Sequence, residues 1–142
     1  TLAALPADIA VCAAAVADWR PEKIDDRKIK KRGDTTAVSL NILENPDILH
    51  TLAQSGDRRP SLVVGFAAET DDLIDNAVTK RDSKGCDWII ANQVGCNANP
   101  VFGSSLNQAM LVSANGVDEW PQMKKTDLAE TLADSIEAEL TR

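Results

Sequence analysis

Four continuous apolar runs are the feature that most constrains how this chain can fold. They occupy residues 9–17, 62–67, 87–91 and 109–112. Within each run, apolar residues follow one another without the alternation of a half-exposed strand, which is typical of strands covered on both faces. Segments with helical signals separate the runs. The pattern predicts an α/β protein with a mostly parallel, Rossmann-like sheet and helices on both faces.

The helical segments carry recognisable start and stop signals. Capping residues precede them, and a glycine follows a basic last turn in one of them. Apolar residues recur every four positions in the last one. The predicted helices cover residues 46–54, with Asn45 as N-cap, residues 71–84, with Thr70 as N-cap and Gly85 as stop, and a C-terminal segment after Thr126.

A charged segment interrupts this alternation. Seven basic and three acidic residues lie between Arg20 and Arg32. Val38, Leu40 and Ile42 then alternate with polar residues, as in a half-exposed strand. We therefore expect an exposed flap and strand extension at about residues 19–44.

Length and net charge indicate which kinds of partner this chain can have. The 142 residues suit one domain with a sizeable core, and the net charge is −7. An acidic balance disfavours nucleic acids and anionic membranes as partners, whereas a local basic cluster still permits a small anionic ligand. No apolar run is long enough to cross a membrane. The three cysteines show neither disulfide nor zinc spacing, which fits a cytoplasmic protein.

Candidate binding residues lie where predicted strands end and helices begin, because ligands of such sheets bind at the carboxyl ends of strands. Asp18 ends the small apolar run and would accept hydrogen bonds from a ligand or cap a turn. Pro46 and Asp47 open a helix, where free N–H groups attract an acceptor, or form an ordinary cap. Phe66 would stack on a base or pack in the core. Asn92 follows a strand and is a candidate for contact with a second substrate.

Two groups of lysines would neutralise an anion. Lys28 stands in a short cluster with two further lysines, either a solvated charge run or part of a flap that closes over phosphates. Lys80 and Lys84 share one helix face, where like charges are mildly destabilising unless an anion is bound. Both also complement the end of their helix beside Gly85.

Four motifs together resemble the phosphopantothenate–cysteine ligase (phosphopantothenoylcysteine synthetase) family, from about residue 9 to the end of the chain. The motifs are Ala13-Ala14-Ala15-Val16-Ala17-Asp18-Trp19-Arg20-Pro21, Lys28-Ile29-Lys30-Lys31, Asn45-Pro46-Asp47-Ile48 and Gly65-Phe66-Ala67-Ala68-Glu69-Thr70. In many bacteria this ligase is fused to a flavin-dependent decarboxylase. In the later loop the likeness is weaker, because Gln93 and Ser105 stand where the family usually has acids.

The resemblance implies a specific reaction. It is the ligation of 4′-phosphopantothenate to L-cysteine in coenzyme A biosynthesis, with CTP and Mg²⁺, through an acyl-cytidylate. The implied catalytic residue is Lys28, whose side chain would reach the phosphates. The implied CTP-binding residues are Ala13, Ala14, Ala15, Asp18, Lys28, Pro46, Asp47, Ile48, Leu49, Phe66, Lys80 and Lys84, with Asn92 toward the second substrate.

The resemblance also implies a homodimer in which residues 20–44 cross between protomers. We expect residues 1–142 to form one incomplete ligase domain that lacks the family's N-terminal segment and is inactive alone. Two other hypotheses remain open from the sequence. One is a non-catalytic nucleotide-binding module, and the other is a truncated nicotinamide-binding Rossmann domain, against which the missing glycine fingerprint argues.

Overall fold

The computed structural model describes residues 2–23, 39–94 and 106–141. The predictions for Lys28, Lys30, Lys31 and Val38, and for residues 95–105 of the later loop, lie outside these ranges. The described strands are β1 (Ile9–Cys12), β2 (Trp19–Pro21), β3 (Ile42–Glu44), β4 (Leu62–Glu69), β5 (Trp88–Gln93), β6 (Leu106–Asn107), β7 (Ala109–Ser113), β8 (Gly116–Glu119) and β9 (Met123–Lys124). The α-helices are α1 (Ile48–Ala53), α2 (Leu73–Lys84) and α3 (Lys125–Leu140), and short 3₁₀ helices span Leu2–Ala4 and Gly56–Arg58.

A five-stranded sheet in the order β1-β4-β5-β7-β8 forms the centre of the fold. Strands β1, β4 and β5 are parallel neighbours, whereas β7 and β8 add antiparallel strands at one edge. Two small antiparallel pairs, β2 with β3 and β6 with β9, stand apart from it. The predicted α/β class with a parallel core is confirmed, with an antiparallel edge that the sequence pattern did not reveal.

The central strands are buried on both faces, which explains their continuous apolar sequence. In β4 and β5, Val64 and Ile90 point into a core shared with Leu128 and Leu132 of α3. The alternate residues of both strands point into a second core. That second core includes Ala53 of α1, Ala77 of α2 and Val63. Helices therefore cover both faces, as predicted.

Strand β1 is shorter than its apolar run. It ends at Cys12, which pairs with Gly65, and the following residues through Ala17 are exposed and have no strand partner. The prediction of a strand over residues 9–17 was wrong beyond Cys12. Alanines have low strand propensity and bring little apolar surface to bury, so the composition alone does not hold this segment in a sheet.

The helices also begin at other residues than predicted. Helix α1 begins at Ile48 with Asp47 as N-cap, two residues later than predicted from Asn45. Helix α2 begins at Leu73, and Asp72 precedes it with a left-handed backbone (φ 46°), so Thr70 is not the cap. The third helix begins at Lys125 and includes Thr126, which the sequence pattern had placed at the cap. The predicted stop at Gly85 is confirmed, with φ 69°.

Arg59 holds together the end of the sheet where β4 and β5 begin. Its guanidinium donates to both carboxylate oxygens of Asp87 at 3.0 Å and to the carbonyls of Ala53 and Gly85. Asp87 in turn accepts the N–H of Val63 at 2.7 Å. The network joins the ends of α1 and α2 to the starts of the two strands.

None of the helices in the described ranges is long and apolar enough to cross a membrane.

Candidate functional site

A cleft of about 660 Å³ opens beside the end of β1. Its walls are the segment after β1, the turn that leads from β3 into α1, and the last two turns of α2. Ten of the residues predicted to bind a nucleotide lie around this one cleft. They are Ala13, Ala14, Asp18, Pro46, Asp47, Ile48, Leu49, Phe66, Lys80 and Lys84.

Two of the predicted residues that the structure describes do not line this cleft. Ala15 does not line the cleft, although the residues before and after it in the chain do. Asn92 pairs with Ala68 and Ala109 within the sheet and is also not a lining residue. Lys28 lies outside the described residues, so its predicted role stays a prediction.

Asn45 joins two walls of the cleft. Its backbone N–H donates to the Asp18 carbonyl at 2.7 Å, and its side-chain Nδ2 donates to the Ala17 carbonyl at 2.7 Å. Its Oδ1 accepts a hydrogen bond from Arg20 at 3.0 Å, while the same Arg20 nitrogen donates to the Glu44 carbonyl at 2.7 Å. The segment after β1 is thus tied to the turn before α1.

Asp47 links the start of α1 to the end of α2. One carboxylate oxygen accepts the N–H of His50 at 2.9 Å, which is the side-chain cap of the helix. The other accepts a hydrogen bond from Lys84 Nζ at 2.5 Å. The prediction of a free N–H at this helix start therefore does not hold for His50, because Asp47 already occupies it.

The Asp47–Lys84 ion pair moves the pKa values of its two groups in opposite directions. Partial burial would raise the pKa of the Asp47 carboxyl, but the hydrogen bonds from Lys84 and His50 outweigh it and leave that pKa below its ordinary value. The same hydrogen bond raises the pKa of the Lys84 ammonium, against the opposing effect of its burial. Nearby Asp18 and Glu44 raise it further. Both groups of the pair are therefore charged at neutral pH.

The lysines of α2 differ in their partners. Lys84 is neutralised by Asp47, which relieves the like-charge repulsion expected between positions 80 and 84. Lys80 also lines the cleft but forms no ion pair with another described residue. Of the two lysines, Lys80 is therefore the one better placed to bind an anion.

Cys12 also lines the cleft, but it is a poor nucleophile. Burial, and then the Asp47 carboxylate, raise the pKa of its thiol. A thiol must lose its proton to attack an electrophile, so at neutral pH this cysteine stays protonated. The cleft therefore points to binding and charge neutralisation and not to covalent catalysis by a cysteine.

Gly65 gives the apolar side of the cleft its shape. A Cβ added there would stand 2.5 Å from Leu49 Cδ2 and 2.9 Å from Ile89 Cδ1. Leu49 can therefore pack directly over the β4 backbone. Phe66, next in β4, lines the cleft and also packs against the core on the α3 side, so its predicted core packing is confirmed and its contact with a base stays a prediction.

Sequence reasoning missed seven residues that line the cleft. Five of the seven adjoin a predicted residue in the chain, and that adjacency was the signal that could have found them, whereas Val11 and Glu44 adjoin none. They are Val11, Cys12, Val16, Ala17, Trp19, Glu44 and Asn45.

The chain matches the family model described as "DNA/pantothenate metabolism flavoprotein C-terminal domain" over residues 1–140. The chain belongs to this family. The match includes every element that forms the cleft, so the cleft is part of the family domain.

The following curated relatives are longer than the chain. The coenzyme A biosynthesis bifunctional protein CoaBC of Vibrio cholerae is 36% identical over 132 residues, which is 93% of this chain and 33% of that protein. The protein of the same name from Haemophilus influenzae is 37% identical over 87% of the chain and 30% of its own length. That of Mycolicibacterium smegmatis is 37% identical over 93% of the chain and 33% of its length. The chain thus spans about a third of these relatives.

Solved structures agree with the fold. The crystal structure of the C-terminal domain of CoaBC matches with a TM-score of 0.68 at 26% identity, covering 94% of this chain and 55% of that one. The DNA/pantothenate metabolism flavoprotein from Streptococcus pneumoniae matches with a TM-score of 0.70 at 19% identity, over 93% and 63% of the two chains. The second likeness shows the shared fold alone, and both support the Rossmann-like class.

Proposed function

We propose that this domain carries the nucleotide side of a phosphopantothenate–cysteine ligase that uses CTP in coenzyme A biosynthesis. The observation that supports this most is the assembly of ten candidate nucleotide-binding residues around one cleft. These residues come from four separate parts of the chain. The relatives' names, which place them in coenzyme A biosynthesis, support the same pathway for this chain.

The cleft offers separate environments for a base and for phosphates. Phe66, Ile48 and Leu49 provide apolar surface of the kind that packs against a nucleobase. Lys80 and Lys84 lie together on α2, where they can neutralise phosphate oxygens. We propose that cytosine lies toward Pro46–Leu49 and that the triphosphate extends toward the two lysines.

The described cleft needs additional positive charge to hold a triphosphate. Its lining includes the carboxylates of Asp18, Glu44 and Asp47 against two lysines, a formal balance of −1. We propose that Lys28, with Lys30 and Lys31, closes over the phosphates and supplies the missing charge. This agrees with the basic character of residues 20–32 in the sequence.

Mg²⁺ would supply the remaining neutralisation of the phosphates. Magnesium at nucleotide sites is usually held by one or two carboxylates together with phosphates and water. Among the described residues there is no group of three or more His, Cys, Asp or Glu side chains that could hold a metal by itself. The cleft therefore fits a metal that arrives with the nucleotide, for which Asp18 and Glu44 are the available carboxylates.

The proposed reaction has two steps. The carboxylate of 4′-phosphopantothenate attacks the α-phosphorus of CTP, and the bond to pyrophosphate breaks to leave an acyl-cytidylate. The amine of L-cysteine then attacks the acyl carbon, loses a proton and displaces CMP. Both steps need alignment of reactants and neutralised charge more than a protein nucleophile, which agrees with the protonated Cys12.

The exposed strand pair β2–β3 supports the proposal of a homodimer. Trp19, Ile42 and Leu43 are 57%, 53% and 43% exposed, and Leu40 just before β3 is 61% exposed. An exposed apolar group of this kind is typical of an interface. We propose that residues 19–44 contact a second copy in the cytoplasm. Fusion or association with a flavin-dependent decarboxylase is proposed on the relatives' bifunctional names.

Calorimetric titration of the chain with CTP, ATP and NADH in the presence of Mg²⁺ tests the nucleotide assignment. Saturable heat with CTP, lost in Lys80→Ala but kept in the control Lys125→Ala on α3, is the expected result. Binding of NADH instead would support a nicotinamide-binding domain. CTP binding without pyrophosphate release in the presence of both other substrates, measured in a chain extended to the full length of the CoaBC C-terminal domain, would favour a non-catalytic module. No CTP binding at all would contradict the proposal for this chain.

A further inference from the structure

The segment after β1 forms one wall of the cleft although it has little support of its own. Residues 13–17 are exposed and belong to no helix or strand. Among the described contacts, Ala17 and Asp18 are held by hydrogen bonds from Asn45. Between the end of β1 and the start of β2, these hydrogen bonds from Asn45 are the described side-chain and backbone contacts that tie this wall to the turn before α1.

We infer that Asn45 is a positioning residue of the nucleotide site, acting through its side-chain N–H on the Ala17 carbonyl. The inference rests on the proposed function, since the wall that it fixes is the proposed nucleotide wall. Asn45 lies between β3 and α1, so its two hydrogen bonds to residues 17 and 18 hold the wall at a set distance from the turn of Pro46. A ligand placed between these elements would meet a preformed surface.

The amide group of Asn45 suits this role better than any other side chain of the same size. Its donor satisfies the Ala17 carbonyl while its acceptor receives Arg20, which is itself anchored on the Glu44 carbonyl. An aspartate at this position would still accept the hydrogen bond from Arg20. Its second carboxylate oxygen, however, would face the Ala17 carbonyl, and neither group could donate. Asn45→Asp therefore separates the positioning bond from the Arg20 bond.

The chain contains a matched control at the other end of β3. Asn41 donates through Nδ2 to the Glu22 carboxylate at 3.0 Å, and its carbonyl accepts the Glu22 N–H at 2.9 Å. Like Asn45 it joins β3 to the β2 side, but it does not line the cleft. A loss of general cohesion between β2 and β3 would affect both variants, whereas loss of the wall would affect only Asn45.

The first measurement is ¹⁵N relaxation of the backbone amides of residues 13–17 in the full chain without nucleotide. Order parameters near the rigid value of about 0.85 in the parent and in Asn41→Ala should fall below about 0.6 in Asn45→Ala and Asn45→Asp. The second is calorimetric titration with CTP and Mg²⁺, where the two Asn45 variants should bind about tenfold more weakly than the parent, as expected for one lost hydrogen bond to a preorganised site.

The role of Asn45 and the proposed function can fail independently of each other. Unchanged order parameters in Asn45→Ala, or parent-like behaviour of Asn45→Asp, would overturn it. Parent-like CTP affinity in an Asn45 variant with a mobile wall would overturn it as well. If the parent itself binds no CTP, the proposed function fails, and the relaxation measurement still decides whether Asn45 fixes the wall.

Discussion

The ion pair between Asp47 and Lys84 should stabilise the domain by a measurable amount that depends on pH. Asp47 has two separable roles, because one oxygen caps α1 through His50 and the other accepts from Lys84. Asparagine caps a helix about as well as aspartate does. Asp47→Asn therefore removes the ion pair and keeps the cap, whereas Asp47→Ala removes both.

The expected size follows from the exposure of the pair. Both side chains are 34% exposed, so solvent screens the pair and the value for exposed pairs applies, at about 0.5–1 kcal/mol. Asp47→Asn and Lys84→Met should each lower the free energy of unfolding by that amount, and the double variant by no more than either one. Asp47→Ala should lose about 1 kcal/mol more, because the cap is lost too.

The stabilisation by the ion pair should decrease both in acid and in alkali. The pKa of Asp47 is lowered on folding, so its contribution is present above the ordinary value of 3.8 and is lost as the pH falls through the folded value. The pKa of Lys84 is raised on folding, so its contribution is present below the ordinary value of 10.5 and is lost as the pH rises through the folded value. Urea denaturation of parent and Asp47→Asn across this range should show the largest difference near neutral pH. Equal stabilities at pH 7, or an additive double variant, would refute the ion pair as a source of stability.

Three further changes test other parts of the argument. Arg59→Ala should lower the free energy of unfolding by about 2–3 kcal/mol, because its guanidinium joins two helices to two strands, whereas Arg58→Ala, at an exposed neighbour, should change it by less than about 0.5 kcal/mol in the same urea titration. Gly65→Ala should cost about 1–3 kcal/mol and weaken CTP binding, because the new Cβ displaces Leu49 from the cleft; parent-like stability and affinity would show that Leu49 moves freely. In a chain extended to the full length of the CoaBC C-terminal domain, Lys28→Ala should reduce pyrophosphate release far more than it reduces the melting temperature, and unchanged turnover would exclude the proposed flap.

Much of the fold could be predicted because its central strands are buried on both faces. Strands β4, β5 and β7 each appear as a continuous apolar run, and their positions match the prediction closely. The stop of α2 at Gly85 was equally clear, because a left-handed residue after a basic last turn favours glycine. The antiparallel edge was not predictable from such runs, since strand direction depends on how the chain returns to the sheet.

The site was predictable as a set of residues but not as a set of contacts. The motifs around Asp18, Pro46 and Lys84 meet at one cleft, as their resemblance to a known family implied. The pairing of Lys84 with Asp47, 37 residues earlier in the chain, leaves no local signal in the sequence. A lysine expected to face phosphate is thus paired with a carboxylate of the same cleft.

The order Asn45-Pro46-Asp47 shows why the local pattern was ambiguous and how the tertiary structure decides it. Either polar residue could cap the helix, and a helix beginning at Pro46 would be two residues longer and would use Asn45 as its cap. In the observed arrangement Asp47 caps α1 and binds Lys84, which leaves Asn45 free to bind Ala17, Asp18 and Arg20. The later helix start therefore satisfies two hydrogen-bond networks at once, and both networks form walls of the cleft. The shorter helix is the arrangement that builds the site.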